Sequence, residues 1–201
     1  PKGRRAKPAA IGAPAQVEVC HLADPSLTRA LMDRGFRISE HSTVLLRHLD
    51  GEVPAVAVAH EIRRVRDGEV EAFSETVARG FLESETVPRP FVDLFRVVFG
   101  QPGATCFGAF VDGRPVGGAA VIVRDGVAAF GGASTLPEFR QQGIQTALLQ
   151  ARLAHARAEH CRLAMVTTLP GSVSQWNALK QGFQLAYART KLGKPAGTSA
   201  K

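Results

Sequence analysis

The stretch from residue 106 to residue 168 constrains the fold more than any other part of the chain. Three β-rich runs, residues 106–111, 116–123 and 127–135, are separated by Asp112-Gly113 and Asp125-Gly126. Asp-Gly between apolar runs is a two-residue hairpin signal, so the three runs form an antiparallel meander. After Pro137 the period changes. Ile144, Ala147, Leu148, Ala151, Ala154 and Ala158 fall on one face of a helix over residues 142–160. Residues 163–168 then read as a short, fully apolar strand. Because a helix joins it to residues 127–135, the two strands run parallel with a right-handed crossover. The fold class is therefore α/β of the α+β type: a mixed, mostly antiparallel sheet with flanking helices.

The remaining elements follow from the same signals. We expect a strand at 17–22, a helix at 26–32, a strand at 37–46 after the stop at Gly35, and a Gly/Pro-punctuated linker at 51–54. A strand at 61–65 precedes a helix at 68–79, with Val70, Phe73, Val77 and Phe81 at helical spacing, and a helix at 90–99 closed by Gly100 and Pro102. A last helix, 172–180, stops at Gly182 and a final strand runs over 183–192. Residues 1–15 and 193–201 read as solvated tails interrupted by Pro8, Pro14 and Pro195.

The formal charge of +7 is the feature that would suggest a nucleic-acid partner. Lys2, Arg4, Arg5 and Lys7 carry four of these charges and Lys191, Lys194 and Lys201 three, which leaves the rest of the chain balanced. A DNA-binding face would place its excess on the domain itself, so nucleic acid is not the expected partner. No apolar run reaches the ~18 residues of a membrane span and the beginning of the chain lacks a secretory signal, so no membrane partner and a cytoplasmic location are expected. Cys20, Cys106 and Cys161 are odd in number and far apart, which fits neither a disulfide framework nor a zinc cluster; they read as small buried hydrophobes. His155 and His160, five apart on a helix, point in different directions, and His21, His41, His48 and His60 lack companions at ligand spacing, so no metal is expected.

The chemistry is concentrated between the third meander strand and the long helix, Thr135-Leu136-Pro137-Glu138-Phe139-Arg140-Gln141-Gln142-Gly143-Ile144-Gln145-Thr146-Ala147. A strand that feeds a glycine loop opening onto a helix presents unpaired N–H groups at the positive end of the helix dipole, a site for a diphosphate. Gly143 lets the backbone approach closely, and Arg140 can add a charge-assisted contact.

In these residues the sequence resembles the GNAT superfamily of acyl-CoA-dependent N-acetyltransferases. Its signature, Arg or Gln, two residues, Gly, one residue, Gly or Ala, is matched at Arg140 and Gly143, with a departure at Gln145. The lead-in Leu136-Pro137-Glu138-Phe139, the helix start Ala147-Leu148-Leu149 and the Gly182-Phe183 step agree with it, and the resemblance covers residues 59–192. It implies the GNAT fold with a splayed parallel strand pair. It implies acetyl-CoA as cosubstrate, with pantetheine along Ala133, Ser134 and Thr135 and the diphosphate on the amides of Gln141, Gln142, Gly143, Ile144, Gln145 and Thr146. The thioester would lie between residues 133–135 and 165–168, where an unidentified amine acceptor attacks it directly. The family's tyrosine and asparagine positions fall on Ala178 and Gly171. Tyr187 and Asn177 are the side chains that could substitute, with strand packing and helix hydrogen bonding as their structural alternatives. Glu83 and Glu85 are conceivable bases or plain solvated loop charges. The missing tyrosine and Gln145 motivate a second reading, a catalytically inactive acyl-CoA-binding or regulatory interaction module. The sequence leaves the acceptor and the oligomeric state open, a homodimer included.

Residues 17–46 also reproduce the organisation of residues 163–192. A β-rich run, a proline (Pro25 or Pro170), a short helix and then Arg34-Gly35-Phe36 or Gln181-Gly182-Phe183 lead into a second β-rich run, at an offset of 147. We expect residues 16–58 to be a strand-helix-strand segment, either the remnant of a degenerate second GNAT half, as in tandem members such as mycothiol synthase, or a chance likeness. The acetyltransferase domain itself is expected over 59–192.

Overall fold

The computed structural model describes residues 14–50 and 59–194. In chain order these form β1 (Ala15–Cys20), α1 (Pro25–Asp33), β2 (Arg37–His48), β3 (Glu61–Arg64), α2 (Val70–Leu82), α3 (Arg89–Phe99), β4 (Ala104–Val111), β5 (Arg114–Arg124), β6 (Val127–Thr135), α4 (Ile144–Ala158), β7 (Leu163–Thr168), α5 (Val173–Lys180) and β8 (Gln184–Lys194). The expected linker at 51–54 and most of both expected tails lie outside the described residues. The inner ends of the tails do not behave as tails: Ala15 pairs with Lys194 and Gln16 with Gly193, because these residues continue two hydrogen-bonded strands.

The eight strands lie in one sheet, ordered β1-β8-β2-β7-β6-β5-β4-β3, with β6–β7 as its parallel pair. Both meander turns have the predicted backbone: Asp112 and Gly113 at φ 47° and 75°, Asp125 and Gly126 at 51° and 75°, the type I′ geometry that matches strand twist. Alternation along β5 divides the core. Ala120 faces Phe73, Val77, Val92, Phe95 and Phe99 of α2 and α3, while Ala119 and Val121 face Leu148, Leu149 and Leu153 of α4. Gly118 admits α2 to bare backbone, since a Cβ there would stand 2.2 Å from the Phe73 ring. Of the three cysteines Cys161 is buried, but Cys20 and Cys106 are half-buried. Desolvation still pushes the Cys106 thiol up to about 11.

The repeat has a geometric counterpart. β1-α1-β2 and β7-α5-β8 are both strand-helix-strand units whose strands interleave as β1-β8-β2-β7. The central pair β2–β8 is self-inverse about Ser42–Arg189. Moving each partner by 147 turns Val44–Tyr187 into Glu40–Lys191, Thr43–Ala188 into His41–Thr190 and Leu45–Leu185 into Ile38–Leu192, all observed pairs. Even the irregularities obey it: Ser39 and Ala186, the extra residues of the two bulges, are equivalent. Both helices end in a Schellman cap. Gly35 N–H donates to Met32 O (2.9 Å) and Phe36 N–H to Leu31 O (3.1 Å), as Gly182 donates to Leu179 (3.0 Å) and Phe183 to Ala178 (3.1 Å), with the glycines at φ 85° and 80°. Lys194 Nζ donates to Arg34 O (2.8 Å) and its equivalent Arg47 Nη1 to Gln181 O (2.6 Å). The likeness is therefore an approximate two-fold axis through the sheet. The outer strands depart from it by two residues, Val17 and Val166 holding equivalent positions against Leu192 and Leu45.

Candidate functional site

β6 delivers the chain to the loop at a tightly packed corner. A Cβ on Gly80 of α2 would lie 2.7 Å from Ser134 Oγ, and one on Gly117 would lie 3.1 Å from Thr135 Oγ1, so helix and neighbouring strand press against the end of β6. Ser134 Oγ donates to Val77 O (2.8 Å). Leu136 N–H still bonds the sheet at Val116 O, and a single turn of 3₁₀ helix, Pro137–Phe139, leads to Arg140. The backbone then turns left-handed at Gln141 (φ 63°) and again at Gly143 (φ 78°), the N-cap of α4. Six successive amides, from Gln141 to Thr146, have no acceptor among the described residues; the next, Ala147, donates to Gly143 O (3.0 Å). Alternating backbone handedness makes such amides converge into an anion-binding concavity at the positive end of a 15-residue helix.

The side chains around this loop differ from the expectation. Arg140 is engaged within the protein: Nη1 pairs with Glu83 Oε1 (2.7 Å), Nη2 donates to Gly80 O (3.1 Å) and Nε to Thr135 O (3.3 Å). A fork of N–H groups set among two carbonyls and a carboxylate ties the α2 C-terminus to the loop, so Arg140 orders the corner. Gln145, the departure from the signature, turns toward the strand and donates to Thr135 Oγ1 (2.7 Å). Gln142 bonds His60 Nε2 (2.8 Å) and Glu138 O (3.3 Å).

Beside the loop the sheet opens. β6 and β7 pair from Val127–Leu163 to Phe130–Val166 and no further. The cause lies in β6, where Gly132 and Ala133 oppose the single residue Ala119 in a bulge, with Gly132 at φ 60° and no room for a Cβ against Phe99. Of the residues expected to line the gap, Met165 and Val166 are still paired with β6; Thr167 and Thr168 lie along it. Ser134 and Thr135 form the other wall and are buried.

The far side of β7 is where sequence reasoning fell short. The neighbour of β7 is β2, with Thr43 opposite Thr168 and Val44 opposite Thr167. Thr43 Oγ1 bonds Thr168 Oγ1 (3.0 Å) and accepts from Gln175 Nε2 (2.8 Å). On the opposite face Arg189 donates to Thr167 Oγ1 (2.8 Å) and pairs with Glu18 (2.8 Å). The strand-helix-strand repeat was the signal for these residues, once its strands are seen to alternate. The insertion of β2 also displaces Tyr187: it pairs with Val44, which pairs with Thr167, so its backbone stands two strand spacings, about 10 Å, from the gap wall. Asn177 is half-buried on α5, and its carbonyl accepts from Gln181 N–H (3.3 Å). At the resemblance's own positions Ala178 is buried in the core and Gly171 is at φ 73°. Glu83 is held by Arg140, and Glu85 by Arg79. The structure does not bring Tyr187, Asn177, Glu83 and Glu85 together around the gap as a catalytic set.

Among the described residues no group of three His, Cys, Asp or Glu could hold a metal ion, and no helix is long and apolar enough to cross a membrane.

Comparison with known proteins agrees with this geometry. Among solved structures, a GCN5-related N-acetyltransferase from Kribbella flavida superposes with a TM-score of 0.67 at 21% identity, over 92% of this chain and 69% of its own. One from Sphaerobacter thermophilus gives 0.70 at 17%, over 95% of this chain and 63% of its own. A tandem GNAT protein from the clavulanic acid biosynthesis pathway gives 0.67 at 17%, over 92% and 65%. The chain thus spans about two thirds of the length of these relatives. The search among curated proteins found no match. Residues 62–183 match the model of the acetyltransferase (GNAT) family, a span that starts in β3, contains the open loop and the splayed strands, and ends at Phe183: the chain belongs to the GNAT acetyltransferase family.

Proposed function

We propose that the chain transfers the acetyl group of acetyl-CoA to a primary amine by direct attack of the amine nitrogen on the thioester carbonyl carbon. The observation that carries this reading is the run of six unbonded amides, Gln141 to Thr146, at the mouth of α4 beside the opening between β6 and β7. On this reading those amides hold the diphosphate and the β6 backbone at 133–135 aligns pantetheine. The thioester then meets the amine in the gap lined by Thr167 and Thr168. A C–N bond forms, the C–S bond breaks, the sulfur leaves as thiolate, and the proton that the nitrogen sheds passes to water. A thiol is far more acidic than an alcohol or an amine, a cysteine side chain having a pKa of about 8.5, so departure of a thiolate makes only a modest demand on a general acid. That fits a site with Ala178 at the tyrosine position. Positioning and a polarising backbone N–H supply the rate.

Thiol release from acetyl-CoA over a panel of primary amines tests the reaction. Its expected dependence is a kcat/KM that rises with pH until the acceptor amine is itself deprotonated. Tyr187→Phe and Asn177→Ala are expected to retain activity within a few fold, whereas loss of a general acid costs about 10²–10⁴. A larger drop in either variant places that side chain in catalysis. The same Ala178 and Gly171 support a second reading, an acyl-CoA-binding module without turnover; binding of acetyl-CoA with no thiol release on any amine selects it.

A further inference from the structure

We propose that β1-α1-β2 is the closing unit of a second acetyltransferase body, and that the outer edge of β1 with the underside of α1 is the seat on which that body docks. The argument is the approximate two-fold axis. In the β7-α5-β8 unit the outer strand edge and the side of α5 that carries Ala178 are covered by this chain's own body, while Val173, Trp176 and Leu179 of α5 stay exposed. The outer edge of β7 takes β6 as a parallel neighbour, and Ala164, Ala178 and Phe183 are packed with Phe130, Leu148 and Leu149.

The axis carries each of these features onto β1-α1-β2, where they are open. β1 is the last strand of the sheet, with nothing described on its outer edge. α1 buries none of its residues, and Leu31, the equivalent of the buried Ala178, is half-buried. Phe36, the equivalent of Phe183, is only half-buried. A groove of about 570 Å³ runs between α1 and the sheet, lined by Val19, Cys20, Thr28, Met32 and Thr190 among others. At the equivalent place Gln175 spans from α5 to the sheet and donates to Thr43 (2.8 Å), where the groove has Thr28 and Thr190.

The occupant follows from what covers the equivalent seat: a strand parallel to the edge, followed by a helix on the α face, on a sheet like β3–β6. It must also lack a closing unit of its own. A second copy of this chain does not meet that condition, since its β7-α5-β8 already fills the position. Residues 1–13, with Ile11 as their one large apolar side chain, cannot supply such a layer. The partner is thus an acetyltransferase body of about a hundred residues without its last strand-helix-strand, lying beside β1 as β6 lies beside β7.

The probe is this chain's own body, residues 59–160, fused ahead of Pro1 of the full chain, and the readout is amide hydrogen exchange in β1 and α1 without acetyl-CoA. We expect exchange there to slow at least roughly tenfold relative to the unfused chain. A second fusion carrying Thr28→Gln, Leu31→Ala and Met32→Leu gives α1 the side chains of α5 and removes any mismatch with the probe. Unchanged exchange in both fusions overturns the proposal. So does slowing in the unfused chain as its concentration rises, which would make the seat a self-association face. Because no acyl-CoA enters the experiment, its outcome is independent of the transferase reading.

Discussion

The two strand-helix-strand units share their local chemistry and differ in what lies outside them. Both carry an N-cap hydroxyl or carboxylate, Asp24 Oδ1 accepting from Ser26 N–H (2.8 Å) and Ser172 Oγ from Gln175 N–H (3.2 Å). Both end in the same left-handed glycine and the same Gly-Phe step, and in both a basic side chain from a neighbouring strand caps the helix carbonyls. Yet Phe183 is 2% exposed and part of the main core while its equivalent, Phe36, is only half-buried. Short-range signals therefore set the shape of such a unit, and tertiary burial sets how much each side chain contributes to stability.

The largest expected effect separates the units by burial. Phe183→Ala should destabilise the chain by about 3–5 kcal/mol, as truncation of a core aromatic does, and Phe36→Ala by less than half of that; equal shifts in urea midpoint would break the contrast. The caps predict equality instead. Gly35→Ala and Gly182→Ala each force a Cβ into the left-handed region, and each should cost about 1–2 kcal/mol; a difference larger than that would mean that the two caps are not equivalent. Filling the open groove is smaller again. Thr28→Gln should stabilise by about 0.5–1 kcal/mol if its amide reaches Thr190 as Gln175 reaches Thr43, and a loss would show that the groove does not mimic its equivalent.

The smallest effect is a reference point remote from both units. Glu69 accepts both terminal nitrogens of Arg63 (2.7 and 2.8 Å) and the Arg66 N–H (2.9 Å). The Arg63 hydrogen bonds lead in holding its carboxyl down at about 2, against an ordinary 4.5. A depressed carboxyl contributes stability that is complete above about pH 4.5 and lost as pH falls through 2. Glu69→Gln should therefore flatten the acid limb of the stability curve in that window by lowering stability at neutral pH, where the ionised carboxyl contributes in full, and leave stability below about pH 2 nearly unchanged, which urea unfolding followed by circular dichroism at a series of pH values reads directly.

What the sequence made legible was local. The Asp-Gly turns, the period of α4 and the Gly-Phe caps each depend on a few neighbouring residues, and they place the meander, the long helix and the glycine loop between them correctly. The insertion of β2 between β7 and β8 was not legible, because pairing between residues 115 to 156 apart leaves no periodic mark on either strand. That one long-range fact moved Tyr187 away from the gap and brought Thr43 beside Thr168. The role of Arg140 was hidden for a related reason: a guanidinium serves a phosphate or a carboxylate equally well, and only the fold reveals that Glu83, distant in sequence, is in reach. Gln145 looked like a defect of the signature, but its amide reaches Thr135 Oγ1 and pins the first turn of α4 to the strand.

The central claim is that the amides from Gln141 to Thr146 receive the diphosphate of an acyl-CoA. Amide chemical shifts, followed by NMR as acetyl-CoA is added to the intact chain and to a Gly143→Glu variant, test it most directly. The account predicts saturable shifts that are largest at residues 141–146 in the parent and absent in the variant, where a bulky carboxylate stands at φ 78° in front of the same nitrogens. Shifts that centre elsewhere, or that persist in a folded Gly143→Glu chain, would contradict it.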